Sequence, residues 1–145
     1  MNEARGNKAI GLMGLARRAG MLVVGEENCG VATRSGRVRV LLLAQDASDN
    51  AVRRAEGFAA DRIPIVRLPY SKDELAMALG KASCSMAAAT DIGFAFEIVS
   101  ALGNEEELGE IAAELLQRRD RAIRRKSAKT SGTTRKTGIK GRKKQ

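Results

Sequence analysis

Four consecutive residues, Gly25, Glu26, Glu27 and Asn28, combine side chains that can bind a ligand with a backbone that can do the same. A glycine followed by two acids and an amide is typical of a helix start, where exposed N–H groups can meet a phosphate or another hydrogen-bond acceptor. The carboxylate and amide side chains can also take part in hydrogen bonds with a ligand. The acids complement the positive end of the helix dipole too, so a purely structural role explains them equally well.

Residues for catalysis or metal binding are sparse. The chain contains no histidine, and its two cysteines, Cys29 and Cys84, have no CxxC spacing, which excludes most zinc sites and the serine and cysteine triads. Asp46 and Asp91 each follow a predicted strand and could share a metal ion, although helix capping explains both. A Walker lysine motif and a GxGxxG turn are absent. We therefore expect no enzyme activity, no metal and no cofactor, and two reduced thiols packed as small apolar groups.

The positive charge is concentrated at one end of the chain. The net charge is +9, and 13 of the 26 Lys and Arg lie from Arg118 onward, together with one of the 17 acids, Asp120. The preceding residues carry more acids than bases. A basic arm on a mildly acidic domain indicates a polyanionic partner, most commonly nucleic acid, and a tail that only maintains solubility is the alternative.

The length of 145 residues suits one domain. The polar segment 1–8 does not resemble a secretory signal, and no apolar run approaches the length of a membrane span. We expect a cytoplasmic protein without a membrane partner.

Apolar periodicity and glycine stops predict alternating elements in the first half. Arg17 and Arg18 end the first helix and Arg34 ends the second, where each could complement the helix dipole or bind a phosphate. The predicted elements are a helix over 8–19, an edge strand over 21–24, a helix over 26–35 and a central buried strand over 38–44.

The second half follows the same alternation. Asp46 and Ser48 offer side-chain oxygens that could cap the first of four further helices. Ser71, Asp91 and Asn104 precede the other three, and the last of these is long with one apolar side. Strands are predicted over 63–68 and 86–89. A loop of small residues, 81–85, separates the helix after Ser71 from the strand at 86–89.

This alternation predicts an α/β fold with helices on both faces of a small sheet. We divide the chain into a domain over 1–103, a C-terminal helix over 104–126 and a basic tail over 127–145. The tail contains almost nothing that could be buried, so we expect it to be disordered.

Several short motifs in a fixed order resemble one known family. They cover 8–102, and the chain resembles the ribosomal-protein L-seven-Ae and L-thirty-e family, in its bacterial YlxQ-like branch. The motifs are Gly11-Leu12-Met13-Gly14-Leu15-Ala16-Arg17-Arg18-Ala19-Gly20, Gly25-Glu26-Glu27, Leu43-Ala44-Gln45-Asp46-Ala47-Ser48, Ala78-Leu79-Gly80-Lys81 and Thr90-Asp91-Ile92-Gly93-Phe94-Ala95.

The resemblance implies a three-layer α/β/α sandwich with a mixed four-stranded sheet, and binding to kink-turn RNA. It implies a ribonucleoprotein role for a monomer whose partner is structured RNA, ribosomal RNA or the ribosome. This chain has Val31 where the family commonly has a lysine. The residues expected to contact RNA are Gly25, Glu26, Glu27, Asn28, Arg17, Arg18, Arg34, Lys81, Ala82, Ser83, Cys84 and Ser85.

A second interpretation uses the long C-terminal helix. Its apolar face, which includes Leu108, Ile111 and Leu115, could pack on a protein partner in ribosome assembly or translation, with RNA bound only through the tail. The same face could instead pack on its own domain, and sequence periodicity does not separate the two.

Overall fold

The computed structural model describes the backbone of residues 3–80, 84–103 and 105–137, and the side chains of 7–80, 84–103 and 108–127. Within these ranges helices and strands alternate as the sequence predicts. The six helices are α1 (Glu3–Arg18), α2 (Glu26–Arg34), α3 (Asp49–Ala59), α4 (Lys72–Leu79), α5 (Ile92–Leu102) and α6 (Glu105–Thr137). The four strands are β1 (Leu22–Val24), β2 (Val40–Leu43), β3 (Ile65–Arg67) and β4 (Met86–Ala89).

The strands form a mixed sheet in the order β1-β4-β2-β3. Strands β1 and β2 are antiparallel to β4, and β3 is parallel to β2. The predicted edge position of β1 and inner position of β2 are confirmed. Because β1, β2 and β3 run in the same direction, α2, α3 and α4 all begin at one end of the sheet, which we call the Gly25 end. The opposite end, where β2 begins, is the Arg39 end.

Helices cover both faces of the sheet and make the expected three-layer α/β/α sandwich. Leu42 packs in a core cluster with residues of α1, α4 and α5, while Leu41 and Leu43 pack in a second cluster with residues of α2 and α3. Successive side chains of a strand point to opposite faces, so a continuous apolar run in β2 serves both layers.

Side-chain caps begin three of the helices where the sequence predicts them. Ser48 and Asp91 each accept a hydrogen bond from a backbone N–H three residues later, at 3.1 and 2.9 Å. Ser71 and Glu74 form a complete capping box before α4. The cap predicted at Asn104 lies outside the described residues.

The apolar face of α6 packs on its own domain. Leu115 is fully buried in the larger core cluster, and Leu108 and Ile111 pack against that cluster. This face is therefore covered by α5 and its neighbours, so packing on its own domain is the one of the two possibilities that the structure shows. The helix continues past its expected end at 126 to Thr137, so residues 127–137 of the segment expected to be disordered are helical in this structure. An established helix extends readily because each added residue brings one hydrogen bond. Residues 138–145 lie outside the described part of the chain.

Candidate functional site

Gly25 joins β1 to α2 in a conformation that suits glycine alone. Its φ of 104° and ψ of 148° lie in a region that L residues rarely adopt. Its N–H donates to the Met86 carbonyl at 2.9 Å, and its own carbonyl accepts the Cys29 N–H at 2.9 Å. The turn is thus anchored to the neighbouring strand β4 on one side and to α2 on the other.

The start of α2 has no side-chain cap, in contrast to the starts of α3, α4 and α5. The first backbone N–H groups of a helix have no partner inside the helix. At α2 these are the N–H groups of Glu26, Glu27 and Asn28, and no side chain of the turn accepts them. They can therefore bind an acceptor on a ligand.

The side chains of Glu27 and Asn28 lie at the surface of this helix start. The Asn28 amide Nδ2 donates to the Val24 carbonyl at 3.0 Å, which folds the side chain back over the end of β1. This bond uses one amide hydrogen and leaves the amide oxygen as an acceptor. The Glu27 carboxylate is exposed beside it, so two hydrogen-bonding side chains border the uncapped N–H groups.

Glu26 connects this turn to two other elements. One carboxylate oxygen, Oε1, accepts a hydrogen bond from Arg54 Nη1 of α3 at 2.8 Å. The other, Oε2, accepts from Ser85 Oγ at 3.1 Å. Ser85 belongs to the loop of small residues before β4, so the structure brings the two predicted binding segments into direct contact.

Arg54 is a site residue that the sequence analysis does not identify. Besides pairing with Glu26, its guanidinium lies 5.6 Å from the centre of the Phe58 ring. It therefore places a positive charge beside the two acids of the turn. No local signal in the sequence predicts the pair, because the partners are 28 positions apart.

Comparison with known proteins gives the family. No family model matches the chain. RNA-binding protein YlxQ of Bacillus subtilis (strain 168) is 35% identical over 95 residues, which cover 63% of this chain and 91% of that protein. The chain belongs to the YlxQ-like branch of the L-seven-Ae and L-thirty-e family. RNA-binding protein YlxQ of Enterococcus faecium is 34% identical over 82 residues, covering 56% of this chain and 79% of that protein.

Solved structures share the fold of this YlxQ-like chain. A protein of unknown function from Bacillus halodurans C is 27% identical with a TM-score of 0.60, covering 66% of this chain and 96% of that one. The 15.5kD RNA binding protein of Giardia lamblia is 18% identical with a TM-score of 0.58, covering 74% of this chain and 92% of that one. The second match is a similarity of fold alone.

The remaining predicted contacts of the YlxQ-like chain are dispersed. Arg17 Nη1 lies beside Gly80, the residue that precedes the loop 81–85 in the chain. Arg18 lies along its own helix beside Gly14. Arg34 is about 12 Å along α2 from Glu26, at a rise of 1.5 Å per residue, so it is away from the turn.

The loop before β4 is only partly described. Lys81, Ala82 and Ser83 lie outside the described residues. Cys84 is 1% exposed and its thiol donates to the Met86 carbonyl, so its side chain belongs to the core in this structure. Of the two described loop residues, Ser85 is the one whose side chain reaches the turn.

Asp46 and Asp91 do not come together. The Asp46 carboxylate accepts the Lys72 N–H at the start of α4, at the Gly25 end, whereas Asp91 caps α5 at the Arg39 end. The two ends of a four-residue strand such as β4 are roughly 10 Å apart, at 3.3 Å per residue. The prediction that Asp46 and Asp91 could share a metal ion is therefore wrong. Because β2 and β4 are antiparallel, the residues that follow these strands lie at opposite ends of the sheet.

In the described part of the chain, none of the helices is both long enough and apolar enough to span a membrane.

Proposed function

We propose that this protein binds structured RNA of the kink-turn type through the surface formed by the Gly25 turn, the start of α2 and Ser85. The observation that carries the proposal is the contact between Glu26 and Ser85, which joins an uncapped helix start to a second loop. The YlxQ relatives are named RNA-binding proteins, which supports RNA as the ligand.

The chemistry of the turn favours distorted RNA over a regular duplex. A helix N-terminus can accept a phosphate, but phosphate attraction does not account for the two carboxylates beside it. Carboxylate and amide oxygens can accept hydrogen bonds from guanine edges, and those edges become accessible where an RNA helix is sharply bent or unpaired. Glu27 and Asn28 are thus suited to read a kinked segment, while Glu26 holds the surface together.

The basic C-terminal segment supplies a different contribution. Lys and Arg that neutralise phosphates add affinity without regard to sequence, and that affinity weakens as salt rises. If the segment makes about six phosphate contacts, the affinity should fall by on the order of a thousandfold when the salt concentration rises fourfold. In this proposal the folded domain selects the RNA shape and the basic segment retains the RNA.

We place this activity on ribosomal RNA, in a cytoplasmic ribonucleoprotein in which the protein is a monomer and uses no cofactor. Crosslinking in cells followed by sequencing of the attached RNA tests the target. Enrichment at one structured ribosomal segment would support the proposal, and an even distribution over all transcripts would leave only sequence-independent binding.

The discriminating experiment compares a kink-turn RNA with a straight duplex of the same base composition. The double variant Glu27→Gln with Asn28→Ala should lose about tenfold or more in affinity for the kinked RNA, because hydrogen bonds of about 1 kcal/mol each are lost. Its affinity for the straight duplex should not change.

Glu56→Gln is the matched control, since it removes an exposed acid from the neighbouring helix α3 without touching the turn. Equal affinity of the double variant and the wild type for the kinked RNA would contradict the proposed role of the Gly25 turn.

A further inference from the structure

A second charged surface lies at the Arg39 end of the sheet, away from the Gly25 turn. Helix α6 passes the start of β2 and the start of α5 and borders an open cleft of about 360 Å³ with them. The cleft is lined by Arg39, Ile92, Arg118, Arg121, Ala122 and Arg125. Four of its six lining residues are arginines, and none of these six is an acid.

The two surfaces are fixed at opposite ends of one strand. The Arg39 N–H donates to the Ala89 carbonyl at 2.8 Å, while the Gly25 N–H donates to the Met86 carbonyl at 2.9 Å. Ala89 and Met86 are the two ends of β4, so the backbone anchors are roughly 10 Å apart at 3.3 Å per residue.

The three arginines of α6 share one face of the helix, because Arg118, Arg121 and Arg125 are spaced by three and four residues. Their neighbour Arg119 holds the helix against α5: its guanidinium lies 4.7 Å from the centre of the Phe96 ring and 3.7 Å from the Glu97 carboxylate. Together with buried Leu115, this packing presents the arginines from a fixed position.

The charges of the pocket are largely uncompensated. Arg118 is paired with Glu114. Asp91, which precedes the lining residue Ile92, uses its carboxylate to cap α5. Among the described residues, no salt bridge pairs Arg39, Arg121 or Arg125 with a carboxylate. Like charges at helical spacing repel one another, so an anion between these guanidinium groups would relieve the repulsion.

We propose that this arginine pocket binds a backbone phosphate of RNA. Guanidinium groups bind phosphate oxygens through paired hydrogen bonds. Several guanidinium groups around one cleft can therefore bind a single phosphate, beyond the general attraction of a basic surface for RNA. This inference rests on the proposed RNA binding and adds a second, separate contact, in which Arg39 of the domain acts together with α6. The basic segment therefore includes a formed phosphate site in addition to its general charge.

The test measures binding of the full-length protein to a straight RNA duplex over a range of salt concentrations. Arg39→Gln and Arg125→Gln should each weaken binding and reduce the slope of log affinity against log salt by about 0.7 to 0.9, the effect of one lost phosphate contact. The double variant should lose less than the sum of the single losses, because both arginines hold the same phosphate.

Arg124→Gln is the matched control, since Arg124 is exposed on the same helix next to Arg125 but does not line the pocket. It should change the slope less than Arg125→Gln does. Equal effects of Arg124→Gln and Arg125→Gln, with no effect of Arg39→Gln, would overturn the pocket and leave only a diffuse basic helix. Circular dichroism melting shows whether each variant is folded.

A polyglutamate peptide separates RNA from an acidic protein segment as the ligand. Loss of peptide binding in Arg39→Gln with unchanged RNA binding would overturn the assignment to RNA. The result is distinguishable from a failure of the Gly25 surface, because that failure concerns the difference between kinked and straight RNA, whereas this test uses the straight duplex alone.

Discussion

Ser85 Oγ donates a hydrogen bond to Glu26 Oε2 at 3.1 Å across 59 positions of the chain. The bond is partly buried and connects the turn that begins α2 with the loop that precedes β4. Glu26 also pairs with Arg54 of α3, so one carboxylate holds three elements at the Gly25 end of the sheet.

Replacing Glu26 by glutamine should affect RNA binding more than stability. The Glu26 and Arg54 side chains are 29% and 43% exposed, and ion pairs at such exposure contribute roughly 0.2–1 kcal/mol. Chemical denaturation should therefore show a loss below about 1 kcal/mol in the free energy of unfolding. Affinity for a kink-turn RNA should fall because a neutral amide holds Arg54 and the Ser85 loop less strongly than the carboxylate does. A loss of several kcal/mol with unchanged affinity would contradict this role.

Gly25→Ala should destabilise the fold by on the order of 1–3 kcal/mol, since φ of 104° with ψ of 148° is strained for a residue with a Cβ. Gly57→Ala is the control with the opposite sign. A Cβ at Gly57, inside α3, meets open space, and alanine in a helix is more stable than glycine by roughly 0.5–1 kcal/mol. Urea unfolding of both variants measures the difference, and equal shifts would exclude strain at the turn.

Val31→Lys should strengthen RNA binding. Val31 is 54% exposed and lies one turn along α2 from Glu27, at a position where the resemblance to the family implies a lysine. A lysine there that reaches one phosphate should steepen the salt dependence of binding by about 0.7 to 0.9. Val31→Gln adds a polar side chain of similar length without charge, and it should leave the salt dependence unchanged. Identical salt slopes for the two variants would show that RNA does not pass over this side of α2.

Leu115→Ala should destabilise the protein by about 2–5 kcal/mol, because a fully buried leucine is replaced by a cavity. Ile123→Ala, on the same helix but 55% exposed, should change the free energy of unfolding by less than about 0.5 kcal/mol. Thermal or urea unfolding distinguishes them. Similar small effects of both substitutions would mean that α6 is not part of the folded domain in solution.

The buried Tyr70 should make the free energy of unfolding depend on pH in the alkaline range. Burial raises the pKa of its phenol above the usual 10.0, the Glu74 carboxylate raises it further, and a hydrogen bond with the Ile10 backbone lowers it. The folded state thus holds the proton more tightly than the unfolded state. This contribution is fully present below the unfolded pKa and is lost as the pH rises through the folded pKa.

The measurement is direct because the chain has a single tyrosine. Ultraviolet titration of tyrosinate should give a higher midpoint for the native protein than for the protein in denaturant. Tyr70→Phe should remove this part of the alkaline loss of stability. Coincident midpoints in the two solvents would show that the phenol is not shielded.

The local sequence determined where several of the helices begin. The Ser71 and Glu74 capping box, the Asp91 cap and the glycine at 25 act over three or four residues, so their spacing alone predicts helix starts that the structure confirms. The continuous apolar run of β2 predicted a strand covered on both faces for the same reason. The residue types at Gly25, Glu26, Glu27 and Asn28 marked a candidate binding turn, and the resemblance to the family supplied the mixed sheet and the kink-turn RNA as the expected ligand.

Only the tertiary structure decided which distant residues meet. Antiparallel pairing of β4 with β2 sends Asp46 and Asp91 to opposite ends of the sheet. Antiparallel pairing of β4 with β1 places Ser85 beside Glu26. Folding of α6 along α5 brings Arg121 and Arg125 to Arg39, although the latter is far away in the chain. Capping and periodicity depend on residues only a few positions apart in the chain. These contacts depend on strand order and on packing, which no short stretch of sequence encodes.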